Sequence, residues 1–128
     1  MKTTTDKMVV IAEKVRNLIF DMIHNSLDFP DINYSAYLSK NLCINYTTIS
    51  KSFSKAIGVT IERYIIMQKI EKVKKMLSVD RLSLSEIAWR LHYSSTAHLS
   101  GQFKRITGIT PSLFRKIINN SRFHSDLL

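Results

Sequence analysis

The chain repeats its own sequence at an offset of 50 residues, and this repeat constrains the fold more than any other feature. Residues 49–64 match residues 99–114 in order: an apolar-Ser pair, a Phe with a basic residue close behind it, a Gly-x-Thr, and an aromatic residue. Further upstream, Ser35 matches Ser85. Each unit predicts a short helix, a tight turn, a second helix that ends at a glycine, and a capped third helix. That order is the layout of a helix-turn-helix, which presents its second helix to a DNA groove.

Few residues in the chain break a helix. Only 3 glycines and 2 prolines occur among 128 residues, which disfavours a turn-rich all-β fold. Apolar residues at helical spacing predict about seven helices. We therefore predict an all-α fold in which two helix-turn-helix subdomains are joined by a long linker helix, with an extra N-terminal helix. The predicted parts are an N-terminal helix and connecting loop (1–32), the first helix-turn-helix subdomain (33–59), the linker helix (60–78), the second helix-turn-helix subdomain (79–118) and a frayed tail (119–128).

Capping residues predict where the helices begin and end. The first helix is expected over about residues 7–26, since an apolar stripe runs along it and Pro30 then disfavours helical geometry. The second helix is expected to begin near Asn33 or Ser35, and the fourth to extend for roughly 25 Å at about 1.5 Å per residue. The other predicted caps are Asn45, Gly58, Thr60, the Ser83–Glu86 capping box, Ser94 or Ser95, Gly108, and Thr110 followed by Pro111.

The charge of the chain favours a polyanionic partner. Nineteen basic residues against ten acidic ones give a formal net charge of +9. Residues 1–31 carry four basic and five acidic side chains, whereas residues 32–128 carry fifteen basic and five acidic ones. A basic body behind a near-neutral N-terminal segment is typical of a protein that binds nucleic acid. The alternative is a soluble surface that is basic without any particular partner.

Several function classes lack their sequence signals. A single cysteine, Cys43, gives no disulfide framework and no cysteine-based zinc site, and the four histidines lack metal-ligand spacing. Because its neighbours are apolar, we expect Cys43 to be packed. There is no Gly-rich phosphate loop and no nucleophile elbow, so we predict neither an enzyme nor a bound cofactor or metal. The chain has no long apolar run and no apolar signal core, which predicts a cytoplasmic protein without a membrane span.

The repeat suggests how one chain could read DNA. Two helix-turn-helix units joined by a stiff helix of roughly 25 Å could hold their second helices about one duplex turn, roughly 34 Å, apart. Both helices could then enter successive major grooves, and the site would need no palindromic symmetry. The alternative is a helical array in which the repeated phenylalanines and glycines serve packing and capping alone. Phe53 and Phe103 are expected in the core in either case.

The run from Glu86 to Arg115 resembles the C-terminal signature of the AraC-type transcriptional regulators. That signature has an Ile-Ala pair, an aromatic residue at a turn, a Phe-Lys pair, Gly-x-Thr-Pro-Ser, and a closing aromatic-Arg pair. Here these are Ile87-Ala88, Tyr93, Phe103-Lys104, Gly108, Thr110-Pro111-Ser112 and Phe114-Arg115. Residues 35–64 match the family more loosely, and the whole resemblance covers about residues 33–118. It implies two helix-turn-helix subdomains bridged by a long helix and acting at bacterial promoters.

The resemblance, together with the outward faces of the second helices, indicates the side chains that meet DNA bases. The base-edge candidates are Thr47, Ser50 and Lys51 in the third helix and Thr96, Ala97, His98 and Ser100 in the sixth. Lys51 can donate to the O6 and N7 atoms of guanine, although a solvated helix lysine is the alternative. His98 is either a contact to a base or phosphate or an exposed side chain without a role. Gly101 stands where many family members carry a long polar or basic side chain, and close approach of the backbone to DNA is one possible reason.

A second set of residues is expected to contact phosphates, either through helix N-termini or through basic side chains. These are Asn45, Lys55, Ser94, Ser95, Lys104, Arg105, Thr110, Arg115 and Lys116. By contrast, four lysines on the linker helix, at positions 69, 72, 74 and 75, are expected to form a solvated face. His92 occupies a turn position where the family usually has glycine, and histidine tolerates left-handed geometry better than most residues.

We therefore expect a sequence-specific, double-stranded DNA-binding regulator of transcription that reads two successive major grooves. The alternative is a helical protein-interaction module that docks a sensor protein or RNA polymerase through the first helix. A non-specific DNA-coating protein is a third possibility. The expected partners are double-stranded DNA and, as a further candidate, RNA polymerase, but no membrane. The expected state is a monomer or a weak homodimer, in which the first helix either dimerises the chain or covers the first subdomain.

Overall fold

The computed structural model describes residues 4–25 and 33–127, and within these ranges the chain forms seven α-helices and no strand. The all-α fold expected from the sequence is confirmed. The predicted break at Pro30 lies outside the described residues. The helices are α1 (Thr4–His24), α2 (Tyr34–Leu42), α3 (Tyr46–Ile57), α4 (Ile61–Ser78), α5 (Leu84–Arg90), α6 (Thr96–Thr107) and α7 (Pro111–Leu127).

The chain divides into two compact units, residues 1–68 and residues 69–128, which we call unit 1 and unit 2. The boundary falls inside α4, so the long helix expected as a separate linker contributes its first part to unit 1 and its last part to unit 2. Unit 1 contains α1, α2 and α3, and unit 2 contains α5, α6 and α7. Each unit thus holds one of the two repeats.

The core of unit 1 is built around the apolar stripe of α1. Val15, Ile19 and Ile23 are fully buried in one cluster with Ile49 and Phe53 of α3. These α1 residues recur every four positions, so they lie on one helix face and can be covered together. The first helix therefore covers the first subdomain, which was one of the two roles expected for it.

The core of unit 2 contains a ring pair that corresponds to one in unit 1. Phe103 is fully buried, and its ring meets Phe114 edge-on at 5.6 Å between centroids. In unit 1 the Phe53 and Tyr64 rings meet in the same manner at 5.4 Å. Edge-to-face pairs of this kind stabilise a core beyond the area they bury. Tyr64 and Phe114, which match each other in the sequence repeat, therefore each pack a ring against the core phenylalanine of their own unit.

The helix caps follow the residue types. Asn45 accepts a hydrogen bond from the Thr48 amide at 2.9 Å, and Ser95 accepts one from the His98 amide at 3.0 Å. Asn33 caps α2 and Ser95 caps α6, which decides both of the start points left open by the sequence. Gly58 and Gly108 end α3 and α6 at φ values of 89° and 87°, a conformation that residues with a Cβ rarely adopt.

The predicted capping box at the start of α5 forms on one side only. Ser83 accepts a hydrogen bond from the Glu86 amide at 3.1 Å. The Glu86 carboxylate instead accepts from Nε of Arg90 at 3.0 Å, one turn further along the helix. A charged partner four residues away competes with the neutral amide of the cap, and the carboxylate is drawn to the charge.

Both helix-turn-helix turns place a non-glycine residue in the left-handed region. His92 has a φ of 59°, and Cys43 has a φ of 55° at the corresponding point of unit 1. The left-handed histidine agrees with the sequence analysis, but the packed cysteine does not, because Cys43 is exposed. The turn residue that follows α2 lies at the surface, where its side chain points away from the core. In unit 1 the next cap, Asn45, follows Cys43 by two positions. In unit 2 the next cap, Ser95, follows His92 by three positions.

The expected solvated face of α4 is wrong for two of its four lysines. Lys72 is 7% exposed. The ammonium group of Lys69 lies 4.1 Å from the centre of the Tyr93 ring, and its burial lowers the pKa of this lysine. Long lysine stems cover apolar surface, and an ammonium group is attracted to an aromatic face. Lys74, which pairs with Glu71, and the exposed Lys75 remain toward solvent.

Helix α7 extends further than the polar tail suggests. The polar residues from position 119 predict a frayed tail, whereas the helix continues to Leu127. No glycine or proline follows Pro111, so nothing in the residue types ends the helix earlier. Near the start of α7, the guanidinium group of Arg115 donates a hydrogen bond to the carbonyl oxygen of Leu82, which ties the helix to the loop before α5.

A cluster of two tyrosines and a glutamate joins the starts of three helices in unit 1. The hydroxyls of Tyr34 and Tyr46 donate to Oε1 of Glu62 at 3.2 and 3.0 Å. A hydrogen bond from its own backbone amide, followed by those from the two hydroxyls, lowers the pKa of Glu62 against the effect of burial. Burial and then the Glu62 carboxylate raise the pKa of Tyr46. The ionised carboxylate therefore stabilises the arrangement of α2, α3 and α4.

We expect Glu62→Gln to lower the free energy of unfolding near neutral pH by about 0.5–1 kcal/mol, since hydrogen bonds to an exposed charge are weakened by water. The native pKa of Glu62 lies below its ordinary value of 4.5, so the stabilisation is present above that value. It is lost as the pH falls through 4.5 toward the lower native pKa. Urea unfolding at neutral and acidic pH measures this, with Glu13→Gln on α1 as the control. A difference of equal size at both pH values would contradict the role of the charge.

Candidate nucleic-acid interface

Helices α3 and α6 are the second helices of the two repeats, and each buries one face. Ile49 and Phe53 lie in the core of unit 1, and Leu99 and Phe103 are fully buried in unit 2. Because these pairs are four residues apart, they define one side of each helix, and the opposite side faces solvent. We call the two solvent-facing sides the α3 face and the α6 face. Neither helix contains an aspartate or glutamate, so no fixed negative charge on either helix opposes a polyanion.

The α3 face carries two threonines and two lysines. Thr47, Thr48, Lys51 and Lys55 are all exposed, whereas the predicted base-edge residue Ser50 is half-buried. Sequence reasoning did not include Thr48 among the base-edge candidates. Its relation to His98, 50 residues later in the repeat, was the signal that could have identified it. Lys51 is the long donor at the centre of this face.

The α6 face has smaller side chains at its centre. Thr96, Ala97 and His98 are exposed in the first turn, and the predicted base-edge residue Ser100 is half-buried. Gly101, also exposed, takes the position that Lys51 has in α3. Lys104 and Arg105 are exposed in the last turn, where α3 has a half-buried Ser54 and the exposed Lys55. The two faces therefore share one position in the fold but differ in chemistry.

The side chain of His98 is held by the turn that precedes its helix. Nδ1 of His98 lies 3.2 Å from the Ser94 hydroxyl, and the ring meets the Tyr93 ring edge-on at 5.2 Å between centroids. The Tyr93 hydroxyl donates in turn to Gln102 at 2.6 Å. These contacts hold the ring of His98 over the N-terminal turn of α6, and its role toward DNA stays a prediction.

Glycine at position 101 is not required by the chain itself. A Cβ atom added there would meet nothing within 4 Å, and the residue lies in regular helix without a positive φ. Glycine inside a helix nevertheless costs about 1 kcal/mol relative to alanine. Glycine at this position therefore lowers the stability of α6 and exposes its backbone, without allowing closer packing inside the chain.

The predicted phosphate-contacting residues fall into three groups. The side chains of Asn45, Ser95 and Thr110 cap helices, and Thr110 accepts from the Leu113 amide at 3.1 Å. The exposed basic residues are Lys55, Lys104, Arg105 and Lys116, and Ser94 is exposed beside His98. Arg115 differs from all of them, since it is half-buried and bonds to the Leu82 carbonyl.

Other kinds of site find little support in the described part of the chain. Within residues 4–25 and 33–127, no group of three His, Cys, Asp or Glu side chains is placed to hold a metal ion. None of the described helices is long and apolar enough to cross a membrane.

Comparison with known proteins identifies a family for most of this region. The family model described as a helix-turn-helix domain matches residues 38–117, which include α3, α4, α5 and α6. The chain is 29% identical over 110 residues to the Msm operon regulatory protein of Streptococcus mutans, covering 86% of this chain and 37% of that protein. It is 30% identical over 114 residues to the F1 operon positive regulatory protein of Yersinia pestis, covering 84% and 36%. The chain thus spans little more than a third of the length of these relatives.

A solved structure has the same arrangement of helices. The DNA-binding domain of AdpA, a global transcriptional factor determined in complex with a target DNA, superposes with a TM-score of 0.72 at 20% identity. The superposition covers 87% of this chain and 95% of that one. At this level of identity the likeness establishes a shared fold.

Proposed function

This chain belongs to the AraC-type helix-turn-helix family, and from that premise we propose that it is a sequence-specific, double-stranded DNA-binding regulator of transcription. One observation carries the proposal: both repeats present the second helix of a helix-turn-helix with an exposed, polar face that lacks acidic residues. The relatives named above are operon regulators, and AdpA was determined with bound DNA, which supports the same role.

In this proposal the α3 face and the α6 face enter the major groove and meet base edges. The contacts are made by Thr47, Ser50 and Lys51 in unit 1 and by Thr96, Ala97, His98 and Ser100 in unit 2. Hydroxyl groups can donate to or accept from any base, lysine favours the paired acceptors of guanine, and the alanine methyl suits the methyl group of thymine. Exposure of the side chains at the first turns of both helices supports these assignments.

Contacts to phosphate are proposed to hold the helices in register without selecting a sequence. The amides at the starts of α3, α6 and α7 carry the positive end of the helix dipole, and the residues that cap these helices keep those ends ordered. Exposed positive charges are supplied by Lys55, Lys104, Arg105 and Lys116. Such contacts supply affinity and positioning more than base preference.

Several finer statements belong to the same proposal. We propose that one chain uses both units on one duplex, in successive major grooves, and acts as a monomer or a weak homodimer in the cytoplasm. Because this chain matches little more than a third of the length of the curated relatives, the proposal assigns neither effector binding nor a direction of regulation to these helices.

The alternative role, a helical module that docks a sensor protein or RNA polymerase, depended on spare apolar surface of α1. Val15, Ile19 and Ile23 of α1 are buried in the core of unit 1, whereas Val9 and Phe20 of the same helix are 43% and 47% exposed. Trp89 of α5, which is 73% exposed, is a further observation that favours a protein contact. RNA polymerase therefore remains a candidate second partner beside DNA.

Selection from randomised DNA duplexes tests the proposed function. The whole chain is expected to enrich a duplex motif and to bind it at least about a thousandfold more tightly than random duplex of equal length. Enrichment of no motif, with equal affinity for every duplex, would indicate a non-specific DNA-coating protein. Failure to retain any duplex at low salt would leave the protein-docking role as the explanation of the fold.

A further inference from the structure

We propose that the two units divide the work of recognition unequally, with Lys51 selecting a guanine in one half-site and Gly101 leaving the other half-site weakly read. This inference rests on the proposed function, since it assigns roles to the same two faces. Lys51 lies at the centre of the α3 face, and Gly101 lies at the centre of the α6 face.

The equivalence of positions 51 and 101 comes from the fold and not from sequence numbering alone. Each lies six residues after the N-cap of its helix, Asn45 or Ser95, and two residues before a fully buried phenylalanine. The glycine caps that end both helices follow seven residues later. Lys51 and Gly101 therefore occupy the same point on the exposed side of helices of equal length.

The side chains at positions 51 and 101 differ in whether they can donate a hydrogen bond to a base. An ammonium group on a four-carbon stem can reach the O6 and N7 acceptors of guanine, which no other base offers as a pair. A glycine offers no side chain, and here neither backbone conformation nor neighbouring atoms require it. Because Gly101 has no side chain, the backbone of α6 can approach the wall of a DNA groove more closely than the backbone of α3 can.

The rest of the α6 face fits this division. Ala97 can contact a thymine methyl, and the Ser100 hydroxyl accepts or donates without distinguishing bases. His98 is held against Tyr93 and Ser94, over the first turn of the helix and away from its centre. Lys104 and Arg105 lie one turn beyond Gly101, where α3 has a single exposed lysine. The α6 face thus has no long side chain at its centre and carries its two cations, Lys104 and Arg105, in the last turn.

The test is motif selection with matched variants of the whole chain. The wild type should enrich a motif with a strongly preferred guanine in one half and low base preference in the other. Lys51→Ala should remove that guanine preference and lower affinity for the selected site by about 5- to 100-fold, the range of a good base contact. Lys14→Ala, an exposed lysine on α1, serves as the control that leaves the motif intact.

Gly101→Lys gives the converse result. Gly101 is exposed and a Cβ atom added there meets nothing within 4 Å, so the helical content of the variant should be at least that of the wild type. The variant should acquire a second guanine preference, about 10 base pairs from the first. Equal base preference in both halves of the wild-type motif, or a Lys51→Ala motif identical to wild type, would overturn this inference while leaving the proposed function in place. A wild-type chain that enriches no motif overturns the proposed function, and this inference with it.

Discussion

Replacing Phe103 by alanine should unfold unit 2. The ring is fully buried and meets Phe114 edge-on, so its removal leaves a cavity and an unpaired ring. Truncation of a buried phenylalanine costs about 3–5 kcal/mol. A unit of 60 residues, residues 69–128, holds roughly 3–9 kcal/mol in total, and the loss is of the same order. Amide hydrogen exchange in α5 and α6 measures the effect, and protection in both helices should fall by at least about two orders of magnitude.

The matched control for this variant is Leu113→Ala, one residue from Phe114 on α7. Leu113 is 44% exposed, so the same kind of truncation should change stability by less than about 1 kcal/mol. Unchanged protection of the α6 amides in the Phe103→Ala variant would show that the buried ring contributes little to the unit. It would also remove the physical reason for the phenylalanine in both repeats.

The parts of this fold that the sequence predicted were those set by local chemistry. Asn45, Ser95 and Gly58 act on amides and carbonyls within four residues of themselves, so their caps could be deduced from residue type and spacing. The buried faces of α1, α3 and α6 follow from apolar periodicity, which needs no knowledge of the neighbouring helix. The repeat then extended each prediction from one unit to the other.

The parts that the sequence did not predict depend on residues distant in the chain. Lys69 is covered because Tyr93, 24 positions later, lies against it, and nothing near Lys69 signals that contact. Arg115 is engaged by a carbonyl 33 residues earlier, where the signature alone suggested a phosphate contact. Cys43 shows the opposite case, in which apolar neighbours suggested burial while the left-handed turn placed the residue at the surface.

The candidate site shows the same division. Helical periodicity indicated which side of α3 and α6 faces outward, and Thr47, Lys51, Thr96, Ala97 and His98 are exposed. Periodicity could not separate the centre of an exposed face from its margin, where the half-buried Ser50 and Ser100 lie. Nor could it reveal that the ring of His98 is held by the preceding turn. The roles of all these side chains toward DNA stay predictions.

Binding to duplex DNA should weaken steeply with salt, and the structure sets the expected size of the effect. Four exposed cations, at positions 55, 104, 105 and 116, are available to neutralise phosphates. Four such contacts give a slope of about −3.6 in log affinity against log salt, so affinity should fall by about two orders of magnitude between 50 and 200 mM salt. Fluorescence anisotropy with a random duplex measures this slope without any contribution from base selection.

Single substitutions decide which cations produce the slope. Lys104→Ala and Arg105→Ala should each make it shallower by about one, because each removes one phosphate contact, whereas Lys75→Ala on α4 should leave it unchanged. Arg115→Ala separates the two roles given to that residue. If Arg115 serves the hydrogen bond to Leu82, the variant should have a lower melting temperature and the wild-type slope. If Arg115 contacts phosphate, the variant should have a shallower slope and the wild-type melting temperature. If Lys104→Ala and Arg105→Ala both kept the wild-type slope, the α6 cations would not lie against phosphate, and the proposed docking of unit 2 would be wrong.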